Sequence, residues 1–281
     1  MLRGLTRAGL GNGLEVEAFA KLAGAYRFEA IDVGGSEIST LFATYGVEGS
    51  KEFLAAQGVV VGSIGLPVEW RTDEETFRSG LRQLAADAEA AAQVGCTACC
   101  TYVLPSTDYN AAHFMALATS RLRACAQILG AYGLHLGLEF VGPHHLRTRW
   151  ANPFIWDMSS TLDWIDAIGE SNVGLLLDAY HWYTTSGTVS DIEKLTASQI
   201  VHVHINDAPE LPVEQVLDND RLYPGEGVID LGGFLGALKK IGYQGAVAQE
   251  VLTPVAPTES PEALCKKSAE LYDRLFPATG A

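Results

Sequence analysis

Four short stretches in the second half of the chain each end in a side chain that can ligate a metal. They are Leu136-Gly137-Leu138-Glu139, Leu175-Leu176-Leu177-Asp178, Val201-His202-Val203-His204 and Ala248-Gln249-Glu250. Each reads as a buried apolar strand with a polar last residue. Three carboxylates and one imidazole make an oxygen-rich donor set suited to Mn²⁺, the first expectation, or to Zn²⁺, Mg²⁺ or Co²⁺. No thiolate joins the set, which argues against a structural zinc knot. A divalent ion that can still accept substrate oxygens acts as a Lewis acid on a carbonyl and acidifies the neighbouring C–H. A carboxylate beside that carbon can take the proton. Glu139 and Glu250, on different strands, could face opposite sides of one substrate, so that one removes a proton and the other returns it.

His202 and His204 alternate with Val201 and Val203, so they share one face of their strand. His204, at the strand end, is the expected ligand; His202 is expected in the barrel core or behind the ligand. His181 lies one helical turn after Asp178, where it could hold a substrate hydroxyl or cap the loop. Trp70, Trp182 and Tyr183 follow strand ends and could stack on a sugar-like ring or pack the rim. The turn-rich segment from Arg221 to Gly227 could close over a ligand.

Such residues need elements that bring them together. Strand-like runs alternate with helical patterns along the chain, which predicts a parallel sheet with crossover helices. Strands are expected near Leu2–Leu10, Phe28–Val33, Val59–Leu66, Thr97–Leu104, Leu134–Phe140, Val173–Asp178, Ile200–Ile205 and Ala246–Val251. Eight strand–helix units in 281 residues predict an α/β fold, one (β/α)8 TIM barrel in a single domain over 1–281. A parallel barrel gathers the C-terminal ends of its strands around one mouth, which is where the four ligands would meet.

Local signals support the helices. Thr72-Asp73-Glu74-Glu75 reads as a capping box with Thr72 as the cap. Phe77, Leu81, Leu84 and Ala88 follow at helical spacing, and Gly95 ends the unit. Phe234, Leu235, Leu238 and Ile241 form a stripe closed by Gly242. Pro261 opens a last helix to Phe276. Two long polar loops, Val141–Asn152 and Asp207–Gly227, are expected on the mouth.

Composition excludes several classes. The formal net charge is −15, which repels a phosphate backbone and argues against nucleic-acid binding. No run of about 18 apolar residues suggests a membrane span, and no secretory signal opens the chain. Five cysteines argue for a reducing, cytoplasmic setting rather than a disulfide scaffold. The C-x-x-C spacing of Cys96 and Cys99 could mark a redox or zinc site, but no second Cys pair follows, so it reads as a strand filled with small residues, with Cys125 and Cys265 as packing.

The segments Leu138-Glu139-Phe140-Val141-Gly142, Leu177-Asp178-Ala179-Tyr180-His181, His202-Val203-His204-Ile205-Asn206-Asp207, Asp220 to Leu231 and Gln249-Glu250-Val251 resemble the xylose-isomerase-like barrels. Within them the likeness is to the sugar phosphate isomerase/epimerase family that includes inosose isomerase, and it runs from about Leu134 onward. The resemblance implies a divalent metal on Glu139, Asp178, His204 and Glu250, with Glu139 and Glu250 doubling as the acid–base pair. It implies that His181 contacts substrate near its carbonyl. Related ketose 3-epimerases carry a Glu and an Arg where this chain has His145 and Glu210. That departure argues against a free ketohexose and leaves His144, His145, Arg147 and Arg149 as a polar loop facing an unidentified group.

The function expected from the ligand quartet and the paired Glu is a metal-dependent isomerase or epimerase of a keto sugar or an inosose-like keto cyclitol. The alternative is a lyase on related ketones, an inosose dehydratase or a 3-keto C-glycoside deglycosidase. An abasic-site endonuclease would need more histidines and a basic face, and a non-catalytic sugar-binding protein would show no turnover. The expected partner is a small molecule, with homo-oligomerisation left open.

Overall fold

The computed structural model describes residues 1–11 and 13–276. Eight parallel strands close into a barrel: Leu2–Leu5, Ala30–Gly34, Val60–Gly65, Ala98–Val103, His135–Phe140, Val173–Asp178, Ile200–Ile205 and Ala246–Gln249. Each pairs with its neighbours in chain order, and the first strand closes the circle by pairing with both the last and the second. The strands carry apolar side chains on both faces because the barrel interior lies on one side and helices on the other. Val173–Asp178 shows this most fully, with all its residues buried.

The expected barrel and its strand positions hold; Val173–Asp178 and Ile200–Ile205 keep their expected bounds, and most of the others differ at their ends. The first strand stops at Leu5 rather than Leu10, and the chain then turns through Gly9 at φ 86°. The last strand stops at Gln249, so Glu250 stands one residue past it, tied by its amide to the Ile205 carbonyl at 3.0 Å.

The helices cover the outside. Glu74–Gln93 begins one residue later than the capping box implied. Asp73, not Thr72, is the cap, and its carboxylate accepts from the Thr76 amide at 2.9 Å. Asp is as strong an N-cap as Thr, and its charge also suits the helix dipole. Leu231–Lys240 ends before Gly242, which adopts φ 82° as the left-handed residue that stops it. Pro261 opens the last helix, Pro261–Leu275, behind a Ser260 cap. None of the described helices is long and apolar enough to cross a membrane.

Both long loops lie after strand ends, as expected, and both have structure. Val141–Asn152 holds a short helix, His144–Arg147, and Asn152–Pro153 pairs antiparallel with Ser106–Thr107. Asp207–Gly227 is pinned by Asp207, which bridges to Leu222 and accepts from the Ala208, Gly225 and Ile229 amides at 2.9 Å. A carboxylate holding three amides fixes the segment without regular structure.

Candidate metal centre

Glu139, Asp178, His204 and Glu250 meet at the barrel mouth. Their ligand atoms all lie within 4.8 Å of one another. Register explains the convergence: Asp178 sits beside His204 across one strand pair, and His204 beside Ala248 across the next. His204 Nδ1 stands 3.6 Å from both Glu139 Oε1 and Glu250 Oε2, and 3.9 Å from Asp178 Oδ2. The imidazole nitrogen thus faces the space that the three carboxylates surround.

The residues fit a divalent cation by an observation of their own. Glu139 Oε1 and His204 Nδ1 are buried, and neither has a hydrogen-bond partner. Buried polar atoms are normally paired, so two orphans facing each other among further carboxylates point to a missing shared partner. Three oxygens and one nitrogen suit a hard or borderline ion.

Electrostatics differ across the cluster. Burial raises the Glu139 carboxyl above its ordinary value, and His204 only partly opposes it. Burial also works against the Glu250 charge, but His204 and Arg221 outweigh it and hold this carboxyl below the usual range. For His204 burial opposes the charge, yet Glu250, Asp32 and Glu139 raise its affinity for a proton well above the ordinary imidazole value. A cation in the cluster would take the place of that proton.

Arg221 is deeper than the sequence suggests. Its guanidinium is buried, and Nη1 donates to Glu250 Oε2 at 2.8 Å and Asp178 Oδ2 at 3.0 Å. Nη2 donates to Asp218 Oδ1 at 2.8 Å, and Nε donates to the Asp218 carbonyl. Arg221 is therefore a support behind the carboxylates, with its donors committed, rather than a free substrate grip. Asn206 supports the same group, donating to both Asp178 oxygens at 3.1 Å. Asp178 also caps the helix Ala179–Thr184, accepting from the Tyr180 amide at 2.6 Å.

His181 stands against this support and not in the cavity. The Gly142 amide donates to its Nδ1 at 3.3 Å, and its Nε2 lies 3.3 Å from Arg221 Nη2 and 3.9 Å from Asp218 Oδ1. Gly142 is required here, since a Cβ would lie 2.4 Å from Thr184 Oγ1 and 2.7 Å from the His181 carbonyl. His145 lies half-buried on the short helix, which packs on the turn Val213–Gln215, and burial lowers its basicity.

Trp70 and Trp182, expected at the substrate, lie outside the cavity that holds the cluster. Trp70 is fully buried, packs against Phe114 and Trp164, and donates its indole N–H to Thr101 Oγ1 at 3.1 Å. Trp182 packs on Phe234 and donates to the Thr188 carbonyl. Their indole N–H groups are hydrogen-bonded within the protein.

The cavity has a volume of about 280 Å³, and Thr6, Ser63 and Thr101 bring hydroxyls to it beside Glu139, His204 and Glu250. Asp32, which sequence reasoning missed, also lines it. Its Oδ2 lies 2.8 Å from His202 Nε2 and 3.1 Å from His204 Nε2. Burial works against the Asp32 charge, but the two histidines outweigh it and keep the group ionised. The signal was present in Ala30-Ile31-Asp32-Val33, another apolar run carrying one acid, but Asp32 is not its last residue.

Fold and cluster together define a (β/α)8 barrel with a candidate metal centre on the face where barrels carry their sites. The chain belongs to the xylose isomerase-like TIM barrel family, whose profile matches residues 18–275. It is 36% identical over 133 residues to an inosose isomerase of Halalkalibacterium halodurans, a match that covers 47% of this chain and 45% of that protein. The matched stretch is thus less than half the length of that curated relative. Over 98% of both chains it is 30% identical to a xylose isomerase domain protein from Alicyclobacillus acidocaldarius, with a TM-score of 0.90. The crystal structure of the IolI protein with a bound zinc atom superposes over 100% of both chains with a TM-score of 0.80 at 18% identity, a likeness of fold.

Proposed function

We propose that this chain is a divalent-metal-dependent isomerase or epimerase of a keto sugar or keto cyclitol. The observation that carries the proposal is that Glu139 and Glu250 each stand 3.6 Å from His204 Nδ1 and line one cavity. A cation held by Glu139, Asp178, His204 and Glu250 would polarise a substrate carbonyl as a Lewis acid. Glu250, kept ionised by Arg221, is placed to take the proton from the carbon beside that carbonyl. The electron pair left behind moves onto the carbonyl oxygen as an enolate. Glu139, whose affinity for a proton is raised by burial, is placed to return a proton once it has received one. Return to the opposite face inverts the centre; return to the former carbonyl carbon shifts the ketone where the neighbouring carbon carries a hydroxyl, whose proton passes to the former carbonyl oxygen as the new C=O forms. The inosose isomerase relative supports this class of chemistry.

The cavity also argues for a neutral substrate of one ring. Its volume is at the small end of ligand pockets, which run from roughly 300 to 1,000 Å³. The guanidinium that lines it, Arg7, and the one behind its carboxylates, Arg221, are already paired. Arg7 binds Glu37 through two bonds of 2.6 and 3.1 Å, and Arg221 binds Asp178 and Glu250. A phosphate or carboxylate would meet acids without a free cation among the described lining residues, whereas hydroxyls would meet acceptors and donors.

The test is incubation of Mn²⁺-loaded protein in D₂O with a panel of ketoses and inososes. Deuterium should appear at the carbon beside the carbonyl with no other mass change. Loss of water would move the assignment to a lyase, and no exchange with any member would overturn the proposal.

A further inference from the structure

We infer that Asp32 is a positioning residue that holds His202 and His204 together and turns the Nδ1 lone pair of His204 into the carboxylate cluster. The inference rests on the metal reading above and adds a role for a residue outside the four ligands.

The argument starts from proton bookkeeping. Asp32 Oδ2 is within hydrogen-bond distance of Nε2 on both histidines, at 2.8 and 3.1 Å. An ionised carboxylate only accepts, so each Nε2 must carry a proton. A neutral imidazole has one N–H, and its proton on Nε2 leaves Nδ1 of His204 as the lone-pair nitrogen. That atom is the one 3.6 Å from Glu139 and Glu250 and without a hydrogen-bond partner. A carboxylate behind a ligating histidine fixes the ring's tautomer and orientation and increases its basicity.

The packing is built for this contact. His202 and His204 pack edge to face with ring centres 5.2 Å apart, and both are buried. Asp32 comes from the second strand, across the barrel from the seventh, so the contact spans the interior. Gly62 makes room for it: a Cβ there would stand 2.9 Å from Asp32 Oδ1, with the Ala246 and Ala30 methyls at 3.3 and 3.4 Å behind. The same three groups, Asp32, His202 and His204, have ligand atoms close enough to hold an ion themselves. The two Nε2 distances are those of hydrogen bonds that already use these atoms, which favours the supporting role.

Two measurements test it. In ¹⁵N-resolved NMR of the metal-free protein, both Nε2 atoms should carry strongly hydrogen-bonded, downfield protons, and in the Zn²⁺-loaded protein His204 should keep its Nε2 proton while Nδ1 loses any proton. An unprotonated Nε2 on either ring would overturn the inference. In chelator competition with Zn²⁺, Asp32→Asn should weaken binding about 10- to 100-fold, the range seen when such supports are removed. The His204 Nε2 proton signal should move at the same time, which loss of stability alone would not cause. Gly62→Ala, whose added methyl meets Asp32 Oδ1 first, should weaken binding in the same direction. Affinity within twofold of wild type in a folded Asp32→Asn would overturn the inference, and if that variant fails to fold, the wild-type ring protons still decide. A wild-type chain that binds no Zn²⁺ would instead remove the metal reading, while the ring protons report on Asp32 independently.

Discussion

Arg221 and Glu250 are joined by a 2.8 Å hydrogen bond inside the barrel mouth, and the same guanidinium nitrogen reaches Asp178 at 3.0 Å. A buried cation thus stands behind two of the four candidate ligands. It offsets part of the repulsion among these closely packed acids. Removing one partner of such a group leaves uncompensated buried charge, which costs about 3–5 kcal/mol. Arg221→Ala should therefore lower stability in urea by about that amount in the metal-free protein. Arg221→Lys should recover little, because an ammonium cannot bridge both carboxylates with a planar fork. A loss below about 1 kcal/mol for Arg221→Ala would show that the acids do not depend on it.

Metal should stabilise the folded chain. An ion that binds only the native state adds roughly 2.7 kcal/mol at a hundred times its Kd. The melting temperature should rise with added Mn²⁺ or Zn²⁺ and fall again with excess chelator. His204→Ala should abolish the response. An equal shift in that variant would place the ion elsewhere.

The two glutamates should separate in isotope experiments. Glu250→Gln should abolish both turnover and loss of label from the carbon beside the carbonyl, by about 10²- to 10⁴-fold. Glu139→Gln should lower turnover comparably yet retain measurable label loss, because the first proton transfer survives. Label loss that persists in Glu250→Gln and disappears in Glu139→Gln would reverse the two roles.

The cysteines should be inert in the native protein. Burial pushes the Cys96, Cys125 and Cys265 thiols up to about 12, and the Cys99 thiol is raised as well. All five are free. At pH 8 such thiols hold on the order of a thousandfold less thiolate than an ordinary cysteine near 8.5. Iodoacetamide should label Cys96, Cys99, Cys125 and Cys265 only after denaturation. Fast native labelling of the Cys96–Cys99 pair would revive the redox reading of that spacing.

The barrel was legible because its period is written in apolar runs, and Asp178, Glu139 and His204 because the first ends its strand and the other two stand one residue before the end. Glu250 was found by the same rule although the strand stops at Gln249. Asp32 escaped it because Val33 and Gly34 follow it in the strand, and only the register across the barrel brings it to His204. Asn206 and Asp218 have no spacing signal either; Asn206 reaches Asp178 from the end of the neighbouring strand, and Asp218 becomes support only once the loop from Asp207 folds back. Arg221 was placed at the mouth but assigned to the substrate, because its partners, 43 residues before it and 29 after, are contacts that periodicity does not encode. Trp70 and Trp182 show the opposite limit. Their position after strand ends was read from sequence, but whether an indole faces a cavity or the wall depends on neighbours such as Phe114 and Phe234.

The most direct test is anomalous diffraction from a Mn²⁺-soaked crystal, recorded on both sides of the manganese edge. One strong peak should lie among Glu139, Asp178, His204 Nδ1 and Glu250. A peak between Asp32 and the two Nε2 atoms, or none at millimolar Mn²⁺, would contradict the metal centre described above.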